Sequence, residues 1–448
     1  MTTDEAIRGW VERSGQSVVD LTAELVRFRT VNKVTTGTEL GLQRWLEALL
    51  REELGLETDL FSPEDVEGLH AHPGYFPGKD YTDRPNVVGI WRGAGNAGGQ
   101  SLLFSSHVDS APVAMGWETD PWDPVQRDGR LYGLGAYDMK GGLAASIMAV
   151  RCLQELGIRL KGDVLIESVV DEEFGGANGT LACRLRGCDA DAAIVPEPTN
   201  MAVCPATRGG ALWRFTFRGR SGMSFGGESF RNPVIGAARF ISFLEQFEGR
   251  RSEEPGPAPW YEHNRSLPVI VTRVEAGDMS APLCDSGPAE CHVDVWVECY
   301  PDTTEEQLLA EVLTQFRRYG ERIGSGQQDE PEARKMIRFL PGTQLDPDCP
   351  LIALLAEEVG NVRGAEAEVF GAPFACDAFM FGLYSRTPAV ILGPSGGNAH
   401  AAGEYVDIAS LLELVQVYAR TIIKWCGAIE EDGSSSDVSR LIEKEAGK

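Results

Sequence analysis

Positive charge is scarce in this chain. Its 448 residues include 41 Lys and Arg against 67 Asp and Glu, a formal net charge of −26. A surface this acidic repels nucleic-acid phosphates and anionic lipid headgroups, so neither nucleic acid nor membrane is expected as a partner. Long apolar runs are missing too, none approaching the ~20 residues that span a bilayer. The opening Met1-Thr2-Thr3-Asp4-Glu5 lacks the basic and apolar regions of a signal peptide, which makes the cytoplasm the expected location. Paired CxxC spacing is absent among the ten cysteines, whose closest doublet is Cys183 and Cys188. Reduced, mostly buried thiols are therefore expected, not a disulfide framework or a thiolate zinc site. No internal repeat is present.

What remains is an ordinary globular composition, 43% hydrophobic, in a chain long enough for two or three domains. Apolar spacing of three and four predicts helices over 18–30 and 38–54, and the Pro-, Gly-, His- and Asp-rich stretch 57–85 reads as a long loop. Short β-rich runs at Val87–Trp91, Leu102–Ser106, Val164–Val170 and Ala192–Pro196 surround a helical Gly141–Leu156. That alternation predicts an α/β domain with a substantially parallel sheet flanked by helices. Near Arg208 the pattern changes. Trp213–Arg218, Val269–Val274 and Cys291–Cys299 alternate as half-buried strands, while Pro233–Phe247 and Thr304–Arg318 are helical, the order of a small antiparallel α+β sheet. The buried pattern returns with helix 350–359, strand Pro388–Leu392 and helix 408–425. The expected organisation is a catalytic domain formed by 1–209 and 326–427, a ferredoxin-like domain of 210–325 inserted into it, and a mobile tail over 428–448.

Four of these strands run into ligand-type side chains. Leu102–Ser106 leads to His107-Val108-Asp109, Val164–Val170 to Asp171-Glu172-Glu173, Ala192–Pro196 to Glu197, and Pro388–Leu392 to the loop holding Asn398 and His400. Asp138 stands just before a helix. Singly, each has an ordinary structural explanation: a helix N-cap, solvated charge or a hydrogen-bonding imidazole. Together they are two His and several carboxylates at strand-to-loop transitions, and open α/β sheets gather ligands at the carboxyl ends of their strands. Imidazole and carboxylate without thiolate suit Zn²⁺, Co²⁺ or Mn²⁺ at a catalytic site. One carboxylate can bridge two ions ~3.5–4 Å apart. Asp109 is placed to accept the other imidazole N–H of His107.

These residues, with Met139-Lys140-Gly141-Gly142, Gly175-Gly176, Pro198-Thr199 and Glu404-Tyr405-Val406, carry a resemblance over about 18–427. The chain resembles the metallo-deacylase and peptidase family of acetylornithine deacetylase, succinyl-diaminopimelate desuccinylase, aminoacylase and glutamate carboxypeptidase, and within it the acetylornithine deacetylase-like branch. The resemblance implies two divalent metals, Zn²⁺ first and Co²⁺ or Mn²⁺ as alternatives. One is held by His107, Glu197 and a bridging Asp138, the other by Glu173, His400 and Asp138. It implies Glu172 as the general base that deprotonates a metal-bridging water and later protonates the leaving amine, a small-molecule N-acyl amino acid or peptide as substrate, and a homodimer through the inserted domain. Glu404 is expected to be a structural acid beside His400.

Two positions depart from the family pattern. Where members carry a His in the inserted domain, nine residues before an Asn-led helix start, this chain has Met223 before Asn232. In the family that His stabilises the tetrahedral oxyanion across the dimer, and a thioether donates no hydrogen bond. Where many members carry an Arg three residues before a Pro that ends a strand, Glu298 precedes Pro301. Arg208 and Arg220, more readily read as surface residues, and Asn398 are the candidate substrate contacts. The leading reading is amide hydrolysis. The missing His leaves two alternatives: a site turned to amide-forming or other non-hydrolytic tailoring chemistry, or a non-catalytic metal-binding homologue.

Overall fold

The computed structural model describes residues 2–94, 98–176, 178–223, 231–263, 266–278, 280–281, 283–284, 286–324 and 330–429. The expected tail falls almost entirely outside them.

The main sheet has six strands, in the order Glu57–Phe61, Asn86–Trp91, Val164–Val169, Leu102–His107, Ala192–Val195, Ala389–Ile391. The last four run parallel and the first two antiparallel, so the sheet is mixed, as the α/β reading required. Its strands are near-continuous apolar runs because both faces are covered. Leu102 and Phe104, Val164 and Ile166, and Ala192 and Ile194 join one apolar cluster, while Leu103, Leu165 and Ala193 join another on the opposite face. The two-residue period of a strand sorts them. The first cluster is filled by the helices Thr3–Arg27, Gly141–Glu155 and Ile408–Cys426, the second by the segment around Ala372–Phe381.

Two local expectations fail. The first helix starts at Thr3, not 18, on a capping box in which Thr2 and Glu5 exchange hydrogen bonds. Ile7, Trp10 and Val11 continue the apolar face N-terminally, but polar residues separate them from Val18 and dilute the pattern. Within the stretch read as loop, Glu57–Phe61 is the edge strand of the main sheet. An edge strand half open to solvent has no apolar alternation to betray it.

The second sheet is antiparallel throughout, in the order Val269–Ala276, Glu290–Cys299, Gly209–Arg218, Glu332–Lys335. Helices Pro233–Glu253 and Glu305–Ile323 complete the β-α-β-β-α-β order. Trp213, Phe215, Phe217, Val293, Val295 and Val297 face Phe240, Phe243, Phe247 and Phe316 in a core of their own. The strand Glu332–Lys335, beyond the expected limit at 325, belongs to this sheet by its pairing with Trp213–Thr216. All ten cysteines are free, seven of them buried. No helix among the described residues is long and apolar enough to cross a membrane.

Candidate metal centre

Leu102–His107 ends the central strand, and His107 is the last residue in the ladder. Its Nδ1 lies 2.8 Å from the backbone carbonyl of Asp109. A carbonyl only accepts, so this contact places the proton on Nδ1 and leaves the Nε2 lone pair free. Nε2 faces carboxylates: Asp138 Oδ1 at 3.2 Å, Glu197 Oε1 at 3.6 Å and Glu172 Oε2 at 4.0 Å. The other oxygen of Asp138, Oδ2, lies 3.2 Å from His400 Nε2, which is also 2.9 Å from Glu173 Oε2. Ligand atoms of His107, Glu172 and Glu197 lie within 4.8 Å of one another, as do those of His107, Asp138 and Glu173. The structure thus gathers all six side chains named from sequence: His107, Asp138, Glu172, Glu173, Glu197 and His400.

Each is held by a recognisable device. Asp138 does not cap the following helix. It sits in an irregular turn, φ −119° and ψ 94°, whose backbone N–H groups at Gly135, Tyr137 and Asp138 all donate to the Glu404 carboxylate at 2.9–3.1 Å. Glu404 therefore acts on the Asp138 turn rather than on His400. Glu172 and Glu173 follow a strand buried along its whole length, and their N–H groups donate to Asp109 Oδ1 and Oδ2 at 3.2 and 3.1 Å. Asp109 does both jobs: its carbonyl accepts from His107 Nδ1 at 2.8 Å with its carboxylate Oδ1 3.6 Å from the same nitrogen, and that carboxylate also anchors the Glu172–Glu173 backbone. His400 lies in a loop where Asn398 and His400 both take left-handed φ, 60° and 59°, and Asn398 Nδ2 donates to Gly403 O at 3.2 Å to close that loop.

A layer of buried charge behind the cluster escaped the sequence reading. Asn32 Nδ2 donates to Asp109 at 2.8 Å and to Asp171 at 3.1 Å. Asp171 also receives Lys79 Nζ at 2.9 Å and Tyr81 OH at 2.7 Å. Arg84 pairs with Glu39 through two bonds of 2.9 and 3.0 Å, all of it inaccessible to solvent. Asp377, also missed, is buried beside the cluster, with Oδ2 accepting from Thr180 and Oδ1 unpartnered among the described residues.

The electrostatics follow from crowding. Burial, with neighbouring carboxylates, pushes Glu172, Glu173 and Glu197 above the ordinary carboxylate range, against the pull of the imidazoles. Burial pushes Asp138 up as well, but bonds to His107 and His400 hold it far below. His400 is pushed up to about 12, chiefly by Glu173. Buried carboxylates crowd two imidazoles here, with no Lys or Arg in the cluster among the described residues, a donor set of metal-binding type. The donor chemistry suits a divalent metal, with His107, Glu172 and Glu197 as one candidate group and His107, Asp138 and Glu173 as another.

The remaining candidates lie elsewhere. Arg208 is buried, not on the surface: it pairs with Glu298 at 2.8 Å and donates to Pro373 O at 3.2 Å. The acid standing where relatives have Arg is thus the partner of an Arg. Arg220 has an exposed side chain and a backbone bond to Arg231, outside the cluster. Met223 is 54% exposed and is not part of the cluster, and Ser224, a possible substitute donor, lies outside the described residues. A cavity of about 690 Å³ lined in part by Glu275 and His292 contains none of the six side chains of the cluster.

A mixed sheet whose edge loops gather two imidazoles and four carboxylates defines a metallohydrolase of the peptidase type. The chain belongs to peptidase family M20/M25/M40, whose model matches residues 103–424, and is an enzyme of that amide-cleaving family. It is 30% identical over 446 residues to the N-formyl-4-amino-5-aminomethyl-2-methylpyrimidine deformylase of Bacillus subtilis, covering 94% of this chain and 97% of that protein. Its fold is similar to that of the di-peptidase Dug1p from Saccharomyces cerevisiae, with TM-score 0.73, 14% identity and coverage of 96% and 99%. It is also similar to a dinuclear metal binding peptidase of family M20 from Bacillus subtilis, with TM-score 0.58, 16% identity and coverage of 93% and 100%.

Proposed function

We propose that this chain is a dinuclear metal hydrolase that cleaves the amide of a small N-acyl amine, with Zn²⁺ the first candidate metal. The observation that carries the reading is Asp138, whose two oxygens face His107 and His400 at an equal 3.2 Å. A carboxylate so placed between two imidazoles, each with its own Glu, is what a bridging ligand requires. The deformylase named above adds a small acyl group, formyl, to the N-acyl amino acids and peptides that the sequence points to.

Bound divalent ions supply acidification of a water and polarisation of the scissile carbonyl. The chain does the rest. Glu172 Oε2, 4.0 Å from His107 Nε2 and largely buried, is the group free to take the proton of the attacking water. The same carboxyl then delivers that proton to the departing amine nitrogen, so it ends the cycle as it began. Glu404 and Asp109 hold Asp138 and Glu172 in register through backbone N–H groups. Met223 supplies no oxyanion donor, a loss of order 10²–10³ in rate unless another group serves. The second sheet with its two helices is the inserted domain of this reading, a lid and the homodimer contact.

The test is direct. Purified protein should carry close to two divalent ions per chain, and Glu172→Ala should abolish deformylation of an N-formyl aminomethylpyrimidine while keeping them. Metal-free active protein, or an unimpaired Glu172→Ala, overturns the reading.

A further inference from the structure

The turn that carries Glu172 has little to stiffen it from within. It leaves the strand Val164–Val169 and reaches Gly175 and Gly176, which take left-handed φ of 92° and 50°. Adjacent glycines leave a backbone free to move. Inside the turn, the Glu172 carbonyl accepts from Gly176 N–H at 2.8 Å. Asp171, directly before Glu172, is left-handed as well, with φ 68°. A non-glycine residue stays in that conformation where its surroundings hold it.

The surroundings come from segment 74–84, part of the stretch that reads as a loop in the sequence. Tyr81 is 2% exposed, and its hydroxyl makes two bonds at once. It donates to Asp171 Oδ2 at 2.7 Å and accepts from Asn178 N–H at 3.3 Å. Asp171 stands at the entry to the Glu172 turn, and Asn178 precedes the helix Gly179–Arg186 that follows it, so one phenol oxygen joins the two ends. Lys79 reinforces the first end: its Nζ donates to Asp171 Oδ1 at 2.9 Å and to Val34 O at 2.6 Å, with the side chain 2% exposed. Phe76 reinforces the second: its N–H donates to Asn178 Oδ1 and its carbonyl accepts from Asn178 Nδ2, both at 2.8 Å. Arg338 adds a stitch between, donating to Gly74 O at 2.8 Å and to Gly176 O at 3.1 Å. Buried bonds of this kind, two of them to a carboxylate, hold geometry better than the same bonds in water.

We propose that segment 74–84 is a clamp on the Glu172 turn, and that Tyr81 and Lys79 are positioning residues for the general base, acting through Asp171 and Asn178. The proposal rests on the hydrolase reading above, in which Glu172 moves the proton, and adds the residues that keep it in place. Asp109 fixes the N–H of Glu172 itself at 3.2 Å. The clamp fixes the two ends of the turn, so the carboxylate of Glu172 is aimed from both.

The experiment uses the metal-loaded full chain with an N-formyl amine as substrate. Tyr81→Phe removes one oxygen and keeps the ring beneath the Arg84 guanidinium, 5.6 Å from its centroid. It should lower kcat ~10-fold, and Lys79→Met ~10²-fold, as expected when a reacting group is displaced by up to ~1 Å. KM and the number of bound ions should stay within ~2-fold of wild type in both, the pattern of an interaction that serves the transition state. The double variant should lose less than the product of the single losses, because both side chains act on the Asp171 carboxylate. A mere support of the fold would instead lower the metal content or raise KM along with the rate. An unchanged kcat in both variants, or a loss of rate matched by lost metal or a raised KM, overturns the clamp. Should Lys79→Met fail to fold, Tyr81→Phe decides alone. The function beneath the proposal fails separately, through a Glu172→Ala variant that stays active.

Discussion

Replacing Asp109 by Asn changes one atom and tests how the general base is positioned. Asp109 is fully buried and accepts three bonds: Glu172 N–H at Oδ1 (3.2 Å), and Glu173 N–H (3.1 Å) and Asn32 Nδ2 (2.8 Å) at Oδ2. Burial alone would raise its pKa, but His107, Arg84 and these donors hold it below the ordinary range. An Asn must turn its NH₂ to one side or the other. Facing it toward Glu172 costs one bond and sets two donors against each other, whereas the opposite turn costs two bonds. The first is cheaper, and losing a bond to a charged acceptor costs about 1.5–3 kcal/mol. The displaced segment is the Glu172 backbone. A misplacement of ~1 Å at a reacting group costs on the order of 10²-fold in rate. Asp109→Asn should therefore lose about 2–3 kcal/mol of unfolding free energy and ~10²-fold in kcat, with KM and metal content close to wild type. Urea melts, initial rates on an N-formyl amine and elemental analysis read the three quantities. Full activity, or a stoichiometric loss of metal instead of a loss of kcat, would refute the assignment of Asp109 to the Glu172–Glu173 backbone.

Other predictions draw on the same layer. Glu404→Gln should lose activity with the fold intact, because an amide cannot accept from Gly135, Tyr137 and Asp138 at once; unchanged kcat and metal affinity would count against it. Arg84→Met leaves Glu39 buried without its cation, while Asp171 keeps Lys79, and should cost about 3–5 kcal/mol near neutral pH, measured by urea denaturation. Its pH dependence has a definite sign. Burial pushes Glu39 up to about 7 despite Arg84, so its charged form is the one the fold tolerates poorly, and removing Arg84 worsens that. The deficit should shrink as pH falls from about 8 to about 6, where Glu39 takes up a proton; a deficit that grows on acidification contradicts the sign.

Most of the candidate ligands were readable in the sequence because they follow apolar runs, where an open α/β sheet exposes its strand ends; Asp138 stands instead before a helix. The supporting layer was not. Arg84 and Glu39 are 45 residues apart and Lys79 and Asp171 are 92 apart, and nothing in a Pro- and Gly-rich stretch announces that its charges are buried in pairs. Arg208 escaped for the same reason: a lone Arg reads as surface until Glu298 from another strand of the second sheet meets it. Asp109 was placed beside His107, but sequence spacing cannot tell that its carbonyl at 2.8 Å lies nearer Nδ1 than its carboxylate at 3.6 Å. The helix from Thr3 and the edge strand Glu57–Phe61 were blurred by polar residues on half-exposed faces, where the burial signal itself is weak.

The two halves of the cluster differ in one respect that would matter for the two proposed metals. His107 is 1% exposed and Glu197 5%, both at ends of central strands, whereas His400 is 55% exposed on a loop of left-handed residues, paired with a Glu173 that is 3% exposed. Ligand exchange at an ion requires a ligand to swing away and water to enter. At the first position both movements are blocked by the sheet, while at the second the imidazole is already at the surface. Dialysis against a chelator should therefore remove the ions in two phases, one per chain quickly and the other slowly. His400→Ala should convert the protein to a one-metal form that keeps its fold, and His107→Ala should lose both ions, because Asp138 Oδ1 then has no imidazole facing it at the rigid end. Simultaneous loss of both ions in the wild type would show that Asp138 couples the positions more strongly than their unequal burial separates them.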